Sequence, residues 1–142
     1  VRKLPIIVVA DTGNNRVEKI SNVGGYLSQF GSYSTNGNGA FSTPQGIAVT
    51  SSGLVYVADM WNARVQGFTS SGTYLRQFGS KGSGNGQFGL PWGLAEDSSG
   101  NVYVADYYIS RITKLDPNGN FLARWGHIGT TAGNFRGPES IR

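Results

Sequence analysis

The chain has 142 residues, a formal charge of +4, 22 glycines, a single histidine and no cysteine. That length fits one ordinary domain, the lack of cysteine excludes disulfides, thiolate catalysis and cysteine-ligated metal, and His127 alone excludes a His-pair metal motif within the chain. The longest apolar run, Ile6–Ala10, is far short of the ~20 residues that span a bilayer, so no membrane partner is expected; no secretory signal is visible, and the start at Val1 rather than Met suggests a processed or excised chain.

Charged residues make up only 14%, against about 25% in average soluble domains. Glycine, serine, threonine and asparagine are abundant and aromatics reach 12%, a composition of short strands joined by tight turns. An all-β protein is expected.

The first apolar run is a strand over Ile6–Ala10, followed by Asp11 and, five residues on, Arg16. Next come an aromatic-glycine pair at Phe30-Gly31 and a phenylalanine three residues before a proline at Phe41 and Pro44. Gly46–Thr50 is then a short apolar strand, Ser51–Gly53 a turn, and Leu54–Ala58 a second strand rich in β-branched and aromatic residues. Asp59 and Arg64 repeat the acidic and basic markers, Arg64–Phe68 is a third strand and Thr73–Phe78 a fourth. The same order returns with Phe78-Gly79, Phe88 and Pro91, Asp106 and Arg111, Trp125-Gly126, and Phe135 and Pro138. The turn at Asp116–Gly119 carries a proline and a glycine suited to a tight turn with a left-handed position.

The Asp markers are spaced 48 and then 47 residues, the prolines 47 and 47. Four antiparallel strands in about 47 residues is the content of one propeller blade. The chain therefore carries three blades, at about 1–43, 44–90 and 91–137, with 138–142 as a first strand that lacks the rest of its blade. Joined tail to head, two copies continue the repeat in register. Closed propellers have about 4–8 blades, so the expected assembly is a homodimer with a six-bladed ring, strand 138–142 pairing with strand 6–10 of the other copy.

The sequence of the middle unit, Pro44–Val49, Gly53–Asp59, Asn62–Gln66 and Gly72–Gly79, resembles an NHL repeat, and the resemblance extends over essentially the whole chain. It implies a six-bladed β-propeller. It also implies a functionally mixed family: RNA-binding and protein-binding propellers, sensor domains, and relatives with metal-dependent lyase or hydrolase activity. The third unit departs from the pattern, with Ile109 where Asn14 and Asn62 stand and Ser140 where Gly46 and Gly93 stand.

The pairs Asp11/Arg16, Asp59/Arg64 and Asp106/Arg111 are read as structural, because catalytic groups normally break the symmetry of a repeat array and a guanidinium fork suits carboxylate and carbonyl oxygens. Glu96 and Asp97, on the innermost strand, are weak candidates for a cation site and otherwise cap that strand in solvent. Binding is expected on the loops that vary over a constant framework. Trp61, Tyr107 and Tyr108 are large aromatics in the loop between second and third strands, and Lys81, His127 and Arg136 are expected on the same face. The function so implied is a non-catalytic scaffold that binds a protein or peptide, with RNA or another polyanion as the alternative and a metal-dependent lyase or hydrolase behind both. No cofactor is implied, and an extracellular or periplasmic setting suits the lack of cysteine and the polar surface.

Overall fold

The computed structural model describes residues 5–142, so the first four positions of the 1–43 repeat lie outside the described residues. Eleven strands follow one another: β1 (Ile6–Asp11), β2 (Arg16–Ser21), β3 (Tyr26–Phe30), β4 (Pro44–Val49), β5 (Val55–Asp59), β6 (Arg64–Phe68), β7 (Tyr74–Phe78), β8 (Pro91–Glu96), β9 (Val102–Asp106), β10 (Arg111–Leu115) and β11 (Phe121–Trp125). They form three antiparallel sheets, ordered β1-β2-β3, β4-β5-β6-β7 and β8-β9-β10-β11. The second and third are complete four-stranded blades, and among the described residues the first holds the outer three strands. β4 and β8 begin two residues earlier than their apolar runs suggest, at Pro44 and Pro91. A bulge after each proline lets the extra residues pair with the Asp that ends the next strand.

The two apolar cores lie between sheets. Val17, Phe41, Val55, Val57 and Phe68 form one core between the first and second blades. Tyr56, Val65, Phe78, Phe88, Leu94, Val102, Val104 and Leu115 belong to the other, between the second and third. The middle blade is sandwiched on both faces, which is why every residue of β5 and β6 is buried. At the two ends of the arc the same positions face outward: Ile6, Ile7 and Val9 on β1 and Trp125 on β11 are exposed.

The inner strands approach one another through glycine. A Cβ on Gly46 would collide with the carbonyl oxygen of Trp92, and a Cβ on Gly93 with that of Glu139. Residues 138–142, expected as a first strand, therefore sit against β8 as β8 sits against β4. Among the described residues no strand pairs with them. The tail has the place of the next inner strand after β4 and β8, without its ladder.

Phe68 is fully buried, with its ring 4.8 Å from Phe30 and 5.6 Å from Phe41, so it joins the first blade to the second. Phe68→Ala is expected to cost about 3–5 kcal/mol, read as a lower midpoint in urea with the chain still folded at low temperature; a change under about 1 kcal/mol would contradict this role.

Candidate functional site

Each repeated Asp ends a second strand and each repeated Arg begins a third, so the antiparallel register sets them opposite one another. In the middle blade this makes a buried cradle. The Asp59 carboxylate accepts hydrogen bonds from the Ser42 amide at 2.7 Å, Asn62 Nδ2 at 2.9 Å, Arg64 Nε at 2.7 Å and Gln66 Nε2 at 3.1 Å. The far end of Arg64 donates to Gln77 and to the carbonyls of Gly37 and Ala40 in the preceding loop. One fork thus joins two strands and a loop.

The two flanking cradles differ. In the first blade Arg16 still bonds Asp11 at 2.7 Å, and among the described residues it reaches no preceding loop and turns to Glu18 at 2.8 Å. In the third, Asp106 accepts from the amides of Gly89, Leu90 and Ile109, while Arg111 donates to the carbonyls of Ser83, Gly84 and Gln87. Asp106 and Arg111 make no direct ion pair among the described residues, and Arg111 Nε is buried without a partner. The reason lies in two substitutions: Ile109 and Thr113 stand where Asn62 and Gln66 supply donors, so the carboxylate turns toward backbone amides instead.

Ile109 has a second effect. Asn62 also donates to the carbonyl of Ser34 at 2.8 Å, tying the second blade to the loop before it. The corresponding tie from position 109 to Gly82 cannot form, because isoleucine carries no donor. A cleft of about 460 Å³ opens at that junction, lined by Trp61, Lys81, Gly82, Ser83, Gly89, Leu90, Tyr108 and Ile109. Trp61 and Tyr108 are 63% and 72% exposed, which for side chains of that size means unpaired surface.

Of the residues expected on the binding face, Trp61, Lys81 and Tyr108 come together around this cleft. Tyr107 instead packs on Trp92, with ring centroids 5.1 Å apart, and against Gly137. His127 and Arg136 are exposed and do not line the cleft. Sequence reasoning missed Leu90 and Gly82, and it took Ile109 only as a defect in the repeat; that departure was the available signal.

Glu96 and Asp97 are adjacent but do different things. Asp97 accepts from Ser99, Asn101 and Tyr103 and lies 3.5 Å from Lys114, which folds the turn after β8 around it. The Asn101 side chain above all holds its carboxyl well below the usual carboxylate range. Glu96 is raised instead, by burial first and by Asp97 second. Among the described residues no group of three or more His, Cys, Asp or Glu side chains could hold a metal ion.

The NHL repeat family model matches residues 41–68 and 88–115. These two stretches match the NHL repeat, one in each of the two complete blades. No curated protein matches its sequence. Among solved structures, the arc is similar to a streptogramin B lyase (TM-score 0.67, 14% identity, 96% of this chain and 40% of that one). It is similar also to hydrazine synthase from Kuenenia stuttgartiensis (0.68, 14%, 95% and 34%). A third is a catalytically inactive virginiamycin B lyase from Staphylococcus aureus with quinupristin (0.63, 16%, 97% and 44%). At these identities the likeness shows the fold, a partial β-propeller. The chain spans 34–44% of the length of these three structures.

The raised carboxyl of Glu96 predicts a pH-dependent cost. Above its raised pKa the folded chain must carry a disfavoured charge, whereas below the ordinary glutamate value of 4.5 the folded and unfolded forms are both protonated and the cost vanishes. Glu96→Gln is therefore expected to raise the thermal midpoint at pH 7 and to leave it unchanged near pH 3.5; an equal shift at both pH values would refute the assignment.

Proposed function

We propose that this NHL arc is half of a non-catalytic binding propeller, closed into a six-bladed ring by a second copy joined head to tail. What carries the proposal is a knob and a seat at opposite ends of the arc. Within the chain, the aromatic that ends each blade packs on a left-handed glycine in the next: Phe30 lies against Gly72, and Phe78 against Gly119. The next pair in the series is Trp125 and Gly24. Trp125 is 48% exposed, where Phe78 is 5%, and nothing lies within 4 Å of a Cβ built on Gly24.

Three further features of the ends support the same joint. Residues 138–142 already lie in the inner-strand position beside β8, and β1 is the edge of a sheet that lacks an inner strand. The pairing of β8 with β9, carried one repeat onward, sets Ile141 opposite Val9 and Arg142 opposite Val8. An open apolar edge of this kind is a template for pairing with another chain. Arg16, which turns to Glu18, would find in a preceding loop the carbonyls that Arg64 finds at Gly37 and Ala40. Association then adds to the stability of each arc, because the ends gain burial only in the ring.

The non-catalytic reading is supported by the use made of the acids. Asp59, Asp97, Asp106 and Asp116 are each engaged with donors of the framework, and the exposed His127 is the one imidazole in the sequence. The lyase names belong to the similar structures; nothing in the donor set here supports the same chemistry.

Light scattering of the purified chain is expected to give about twice the mass of 15.1 kDa. Because the chain has no cysteine, the double variant Val9→Cys, Ile141→Cys is expected to give a covalent dimer on mild oxidation, and neither single variant does so by the same path. Trp125→Asp is expected to lower the mass to that of one chain. A folded wild-type monomer at tens of micromolar, with no cross-link, would refute the closure.

A further inference from the structure

We propose that the cleft between the second and third blades is a binding site for an acidic peptide segment that inserts an aromatic side chain between Trp61 and Tyr108. This deepens the binding reading above but does not depend on the ring, since every lining residue belongs to one arc.

The site is singular in a repeated fold. Position 61 is occupied by Gly13 in the first unit and Tyr108 in the third, and the position of Lys81 by Tyr33 and Ile128. Only the junction of the second and third blades joins two large aromatics with a lysine. It is also the junction within the arc where the Asn-to-carbonyl tie is missing, because Ile109 replaces the asparagine. A binding group that breaks the internal symmetry, at a place where a structural bond has been given up, is what selection for a ligand would leave.

The chemistry of the lining sets the class of ligand. Leu90 and Ile109 are apolar, and the walls are two aromatic rings. Tryptophan and tyrosine are the side chains that most often anchor protein partners, since they bury a large area with little loss of freedom. The Lys81 ammonium is the one charged side chain lining the cleft, and no acid lines it. The chain as a whole is positive at +4, so acidic flanks on the ligand are attracted and basic ones repelled. A nucleic-acid strand would be served by a track of cations along its phosphates; a single lysine suits one or two carboxylates.

The probe is the pentapeptide N-acetyl-Glu-Glu-Phe-Glu-Glu-amide, with the Phe→Ala peptide, a Lys-for-Glu peptide and oligouridylate as comparisons. Binding is followed by quenching of intrinsic tryptophan fluorescence and by NMR shifts. Saturable binding in the range of about 10–1000 μM is expected for the first probe, weakened about ten-fold or more by Trp61→Ala, by Tyr108→Ala and by Lys81→Glu. Ile109→Asn is the decisive variant, because it restores the tie to Gly82 and so narrows the cleft: it is expected to keep or raise the thermal midpoint and to abolish binding. Trp125→Asp, which opens the proposed ring, is expected to leave peptide affinity unchanged, so loss of the dimer and loss of the site are separately visible. The proposal is overturned if the pentapeptide does not saturate, if the Ala or Lys peptide binds as well, if oligouridylate binds more tightly, or if Ile109→Asn binds like the wild type.

Discussion

Every other feature of this molecule depends on the contact between neighbouring blades. Both apolar cores lie in the spaces between the sheets. A four-stranded sheet has two faces to cover, and here each is covered by the next sheet in the series. The joint is made close by glycine at the inner strands, where Gly46 and Gly93 leave room for a neighbouring carbonyl, and is locked farther out by an aromatic resting on a left-handed glycine. The middle blade has both neighbours and is buried throughout β5 and β6. The end blades each have one, and their free faces carry the exposed Ile6, Ile7 and Trp125.

The Asp and Arg of each unit respond to that same constraint. With neighbours on both sides, Arg64 reaches two carbonyls of the preceding loop while holding Asp59, and both side chains are almost wholly buried. A buried pair of this kind is tolerable only when its remaining donors and acceptors are satisfied. Asp59 meets this condition with four donors. Arg16, at an open end, reaches no preceding loop among the described residues and is about one-third exposed. The third cradle shows what happens when the donors themselves change: the carboxylate abandons the guanidinium for backbone amides, and one arginine nitrogen is left alone.

The blade count, strand order and marker residues were legible because they repeat. A period of 47 or 48 residues, with a strand pattern inside it, leaves few architectures open. The bulges after Pro44 and Pro91 were not legible, since the apolar alternation is silent about which residue lacks a partner. The cleft was half legible. Trp61, Lys81 and Tyr108 stood out as variable, bulky or charged loop residues, but the same reasoning gathered Tyr107, His127 and Arg136 with them. The structure separates these: Tyr107 is spent on Trp92 and Gly137, and the other two lie away from the lining.

The sequence by itself determined that this is an all-β array of three like units, because hydrophobic period and turn chemistry are local properties that survive without coordinates. Tertiary structure alone decided which of the like positions are equivalent in fact. Asn62 and Ile109 occupy the same place in the repeat, yet one bonds across its junction and the other does not, because the partner carbonyl lies in a loop 27 or 28 residues away in sequence. Contacts between blades are non-local, and the repeat pattern records the residue without recording what it faces.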